Sequence, residues 1–121
     1  MIRLAELELD DPADVRVARL RGELDLSNAT DIADALAAAS EEGSLGLVVD
    51  MEGLRHLDSA GVRLLFDLRR RLNVRRQALA LSVPAGARIR DVLEMAAVHE
   101  TMPVTASVDE AIAAVRAAAT G

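Results

Sequence analysis

Leu47-Val48-Val49-Asp50-Met51-Glu52-Gly53-Leu54-Arg55-His56-Leu57-Asp58-Ser59-Ala60-Gly61-Val62 is the stretch on which the fold turns. It opens with a short continuous apolar run, Leu47 to Val49, as expected of a strand buried on both faces. A polar segment from Asp50 to Asp58 reads as a loop. After it, Val62, Leu65, Phe66 and Leu72 recur at helical spacing. Arg69, Arg70 and Arg71 complement the C-terminal dipole of that helix, and Asn73 is placed to stop it.

The same alternation continues on both sides. Upstream, Ile2 to Leu9 is strand-like, with a slip between Leu4 and Leu7 that marks a bulge. Asp10-Asp11-Pro12 is a turn, and Val15 to Leu20 is the hairpin partner strand. Ser27 then reads as a helix N-cap, followed by Ala29, Ile32, Ala33 and Leu36, with Asp31 in the first turns. Gly43 and Gly46 close this helical segment. Downstream, Ala78 to Leu81 is a short strand, and Pro84 suits the first turn of a helix whose buried side is Ile89, Val92, Leu93 and Ala96. Met102 to Val104 is a last strand. Ser107 and Glu110 form an S-x-x-E capping box ahead of the stripe Val108, Ala111, Ile112 and Val115.

The expected order is β-β-α-β-α-β-α-β-α. Alternating strands and helices need crossover connections, so the fold class is α/β, with a mixed, mostly parallel sheet and helices packed against it. At 121 residues, with 51% hydrophobic residues, the chain has the length and composition of one domain, residues 1–121. There is no cysteine, which excludes disulfides and thiolate metal sites. A net charge of −6 argues against nucleic acid as a partner. Met1-Ile2-Arg3 runs into Glu6, Glu8, Asp10 and Asp11 without an apolar targeting region, and no run reaches the roughly 20 apolar residues of a membrane span. The expected location is the cytoplasm.

Two segments carry candidate chemistry: Gly22 to Asn28, between the second strand and the first helix, and Asp50 to Gly61. In parallel sheets such loops gather at the carboxyl ends of the strands, where sites are commonly placed. Ser59 falls where the helix should begin. Either Asp58 or Ser59 is simply its N-cap, or Ser59 is a phosphoacceptor whose anion a helix N-terminus would stabilise. Gly61 fits close packing of the helix start on the sheet, or close approach of another protein's backbone.

Gly22-Glu23-Leu24-Asp25 and Leu57-Asp58-Ser59-Ala60-Gly61, with Val48-Val49-Asp50 leading in, resemble the two signatures of STAS domains, the sulfate-transporter and anti-sigma-antagonist family. The element order agrees over nearly the whole chain. Within the antagonist branch, the resemblance implies a binding protein rather than an enzyme. Its unphosphorylated form binds an anti-sigma factor, which is also a serine kinase of the histidine-kinase-like ATPase type, and this frees the sigma factor. The kinase phosphorylates the Ser after Asp, here Ser59, and a phosphatase restores the free form. Asp25 matches the acidic residue near the acceptor and Asp58 the Asp preceding it. The implied partner-binding set is Glu23, Asp25, Ser27, Asp58, Ser59, Ala60, Gly61 and Val62. With no P-loop in the sequence, no cofactor is expected in this chain, and ATP and its metal would come with the kinase. The alternative inside the same fold is a non-switching scaffold or a subunit of a signalling or membrane-transport complex.

Other constellations are weaker. His56, Asp58 and Ser59 have the composition of a hydrolase triad, but a triad is defined by geometry, and no G-x-S-x-G elbow is present. Asp50 and Glu52 could be paired acids, although acidic residues at strand ends are commonly solvated loop groups. His56 reads as a solvated loop residue and His99 as part of a turn, without metal-ligand spacing. Arg69 to Arg71 with Arg75 and Arg76 form a basic patch, but no aromatics interleave to stack bases.

Overall fold

A computed structural model describes residues 6–10, 14–40 and 43–120. The slip at Leu4 and the turn at Asp11 and Pro12 lie outside them. The described residues form β1 (Glu6–Asp10), β2 (Val15–Leu24), α1 (Ala29–Ala39), β3 (Gly46–Leu57), α2 (Ser59–Val74) and β4 (Ala78–Ser82). They continue as α3 (Arg88–Met95), a 3-10 turn (Val98–Glu100), β5 (Val104–Thr105) and α4 (Val108–Thr120). The five strands form one sheet in the order β1-β2-β3-β4-β5. β1 pairs antiparallel to β2, and the remaining pairs are parallel. The expected α/β class, mixed sheet and element order are what the structure has.

Strand alternation divides the interior into two cores. Ala18, Leu20, Leu47, Val49, Leu79 and Leu81 pack with Ile32 and Leu36 of α1, Leu65, Leu68 and Leu72 of α2, and Ile89 and Leu93 of α3. Three consecutive parallel crossovers of one hand place these three helices on one face. Val15, Val17, Val48 and Ala80 point the other way, against Ala111 and Val115 of α4. The expected capping box forms in its forward half, with Ser107 Oγ accepting from the Glu110 N–H at 3.2 Å, while the Glu110 carboxylate reaches one residue further back and accepts from the Ala106 N–H at 3.0 Å.

The sequence expectation fails mainly at the far ends of β2 and β3. β2 runs to Leu24 rather than Leu20, and the segment expected as a loop from Asp50 is strand as far as Leu57. Two register shifts in the β2–β3 pairing explain the misreading: Arg19↔Asp50 is followed by Arg21↔Gly53, and Gly22↔Leu54 by Glu23↔His56. Each shift inserts an extra β3 residue, so the period of two that identifies a strand is lost. Pairing of β3 with β4 ends at Asp50↔Ser82, so the remainder of β2 and β3 projects as a two-stranded ribbon.

Smaller corrections concern element ends. α2 passes Asn73 and stops at Val74, where Arg76 takes a left-handed φ of 59°. Its N–H bonds the Asn73 carbonyl, and the Gln77 N–H bonds the Leu72 carbonyl, closing a Schellman motif without glycine. Pro84 lies outside α3, in a turn closed by the Ala87 N–H on the Pro84 carbonyl, and the helix begins at Arg88. The last strand is Val104–Thr105 rather than Met102 to Val104.

Candidate functional site

The ribbon ends in two adjacent structures, the loop 25–28 after β2 and the start of α2 after β3. The Asp58 N–H bonds the Leu24 carbonyl at 3.3 Å, tying the strand ends together. Asp58 is the N-cap of α2: its Oδ1 accepts from the Ala60 N–H at 2.9 Å and the Gly61 N–H at 3.1 Å. Its Oδ2 faces the Leu26 N–H of the other loop at 3.4 Å. One carboxylate thus satisfies two orphan donors of the helix and braces the neighbouring loop. Ser59, the first residue of α2, stays outside the cap and is exposed.

Ser27 is not the cap of α1. Its N–H and hydroxyl both donate to Asp25 Oδ1, at 2.9 and 2.5 Å. These bonds, Ser27 Oγ first, hold the Asp25 carboxyl below its ordinary range, with help from the nearby His56 charge. The residue before α1 is Asn28, and its side chain turns back rather than forward. Its Oδ1 accepts from the Asp25 N–H at 3.1 Å and its Nδ2 donates to the Glu23 carbonyl at 2.8 Å. Asn28 is only 2% exposed, a buried amide that locks the loop to the end of β2. Sequence reasoning passed over it. The available signal was that Asn caps as well as Ser and stands one position nearer the helix.

The expected site residues therefore separate. Asp25, Ser27, Asp58, Ser59 and Ala60 share the tip, with Glu23 on the last part of β2 across from His56. Gly61 and Val62 are buried beneath it. A Cβ on Gly61 would lie 2.4 Å from Leu57 Cδ1 and 3.2 Å from the Leu24 carbonyl oxygen, which is the close helix–sheet packing reading of this glycine. A further residue at the tip is Leu26, 83% exposed. It borders a groove of about 490 Å³ between α1 and α2, whose wall includes Ala29, Ala33, Ala60, Arg63 and Leu64.

The competing constellations dissolve in this geometry. Asp58 spends its carboxylate on backbone N–H groups, whereas a triad needs it on the imidazole. Asp50 is not a solvated loop acid: it is 6% exposed, pairs with Arg19 at 3.4 Å and accepts from the Glu52 N–H at 3.1 Å. His56 is exposed, on β3 rather than on a loop. Among the described residues no cluster of His, Asp and Glu could hold a metal, and no helix is long and apolar enough to cross a membrane.

Residues 6–111 match the family described as the STAS domain. The structure is similar to an anti-sigma factor antagonist from Mycobacterium paratuberculosis, with a TM-score of 0.81, 23% identity, and 93% of this chain and 95% of that one covered. It is also similar to the Bacillus cell fate determinant SpoIIAA in its phosphorylated form, with a TM-score of 0.65, 26% identity, and 92% and 100% covered. A third similarity is to a sulfate transporter family protein from Wolinella succinogenes, with a TM-score of 0.73, 19% identity, and 91% of each chain covered. No match is found among curated proteins. With the family matched over most of its length, and the fold shared with these structures, the chain belongs to the STAS domain family.

Proposed function

We propose that this chain is an anti-sigma factor antagonist switched by phosphorylation of Ser59. The observation that carries the reading is the start of α2: Asp58 does the capping, so Ser59 is exposed at the first helical position with its hydroxyl outside the cap. The unphosphorylated face, made by Glu23, Asp25, Ser27, Asp58, Ser59 and Ala60 and seated on Gly61 and Val62, binds an anti-sigma factor and so frees a sigma factor. That partner is a serine kinase of the histidine-kinase-like ATPase type and brings ATP and its metal. The chain itself acts by binding, in the cytoplasm, without nucleic acid.

A phosphate on Ser59 adds about −1.5 to −2 charges beside Asp58 and near Asp25. Repulsion and desolvation then oppose docking, and about 1.4 kcal/mol already changes affinity tenfold. A phosphatase restores the binding form. The similarity to SpoIIAA, itself a protein with a phosphorylated form, supports this reading. The second reading, a non-switching scaffold or a subunit of a signalling or membrane-transport complex, draws on the fold shared with the sulfate transporter family protein.

Incubation with the anti-sigma kinase and ATP should place phosphate on Ser59, and Ser59→Ala should abolish the labelling. Phosphate elsewhere, or undiminished labelling of Ser59→Ala, defeats the switch.

A further inference from the structure

Ser59 and Arg63 lie four residues apart on α2 and are both exposed. An acidic group four residues N-terminal to a basic one is the favourable orientation of a helical pair. Helical side chains also lean towards the N-terminus, which carries the Arg63 side chain towards Ser59.

Three of the N–H groups at this helix start are already engaged. Asp58 Oδ1 takes the Ala60 and Gly61 N–H groups, and the Val62 N–H bonds the Asp58 carbonyl. Side-chain cations are therefore the remaining charged partners open to a phosphate on Ser59. Of the arginines along the α1–α2 groove, Arg71 is paired with Asp34 at 3.1 Å and Arg70 with Asp67. Among the described residues Arg63 has no such carboxylate partner.

We propose that Arg63 captures the phosphate once Ser59 is phosphorylated, and that this capture withdraws the uncommitted cation from the rim of the groove. The inference rests on the reading of Ser59 as the phosphoacceptor. The guanidinium fork matches phosphate oxygens in a way a point charge does not. Phosphorylation then alters the docking face twice: it adds an anion at the helix start and neutralises a positive charge beside Ala60 and Leu64.

The test installs phosphoserine at position 59 during translation, so that no kinase is needed, and follows the second phosphate ionisation by 31P NMR. A His56→Gln background keeps the imidazole across from Glu23 out of the comparison. Asp58 and Asp25 act on the phosphate in every variant and cancel in the comparison. The midpoint should lie about 0.3 pH units lower with Arg63 present than in Arg63→Gln, with Arg63→Lys in between. Arg70→Gln should leave it unchanged. Equal midpoints with and without Arg63, or the same shift from Arg70→Gln, overturn the proposal. Failure of a kinase to label Ser59 would sink the switch and leave this result standing, so the two failures are distinguishable.

Discussion

The two halves of β3 obey different rules. From Gly46 to Met51 every residue is buried, and successive side chains feed the two cores in turn. From Glu52 to Leu57 only Leu54 and Leu57 are buried, and the strand pairs with β2 through two register shifts. The first half is clamped between β2 and β4, while the second has only β2 beside it. The first half therefore holds the fold and the second presents the site. Bulges aim the ends of the ribbon without disturbing the sheet below, as they commonly do beside functional sites.

If the halves differ in this way, equal truncations should cost unequally. Leu47→Ala opens a cavity in a region closed on both faces and should lose about 2–5 kcal/mol in urea unfolding, towards the upper end. Leu54→Ala sits in a ribbon flanked by exposed residues that can collapse around it, and should lose towards the lower end of that range. Equal losses would break the distinction and make the ribbon part of the same cooperative core.

Legibility in the sequence follows the same divide. The base was readable because Leu47 to Val49 is an uninterrupted apolar run and because Ile32 with Leu36, and Leu65 with Leu72, keep helical spacing. The ribbon was not, because Leu54 and Leu57 are three apart and the residues between them are polar, which is what a loop looks like. At the site, the choice between Asp58 and Ser59 as cap needed coordinates, since both residue types cap well. Asn28 was missed because its role lies backwards along the chain, on Glu23 and Asp25, where helix-start rules do not look.

Asn28 gives the next sharpening. Asn28→Ala strands the Asp25 N–H and the Glu23 carbonyl, a penalty of about 1–3 kcal/mol. Because the loop sits on the ribbon, the penalty should appear as local opening. Hydrogen exchange at the Asp25 amide should accelerate by roughly 5- to 150-fold. Amides of Val48 and Leu81, in the base, should change far less. Uniform acceleration across the sheet would mean that the tip and base unfold together.

The smallest effect is electrostatic and confined to the tip. Asp25 is held below its ordinary value of 3.8, first by the Ser27 hydroxyl, then by the Ser27 N–H, with the His56 charge contributing. A depressed carboxyl favours the folded loop fully above its unfolded pKa, and that contribution is lost as pH falls through the lower, folded value. The pH dependence therefore belongs around and below pH 3.8, and at neutral pH the contribution is present in full. The Asp25 carboxyl resonance should titrate below 3.8 in the native protein and move back towards it in Ser27→Ala, which removes the hydroxyl but keeps the N–H. The return should be partial for that reason, and His56→Gln should produce a smaller one. A midpoint indifferent to Ser27→Ala would mean that Ser27 does not order Asp25, and the loop beside Ser59 would lose the feature that presets its acidic face.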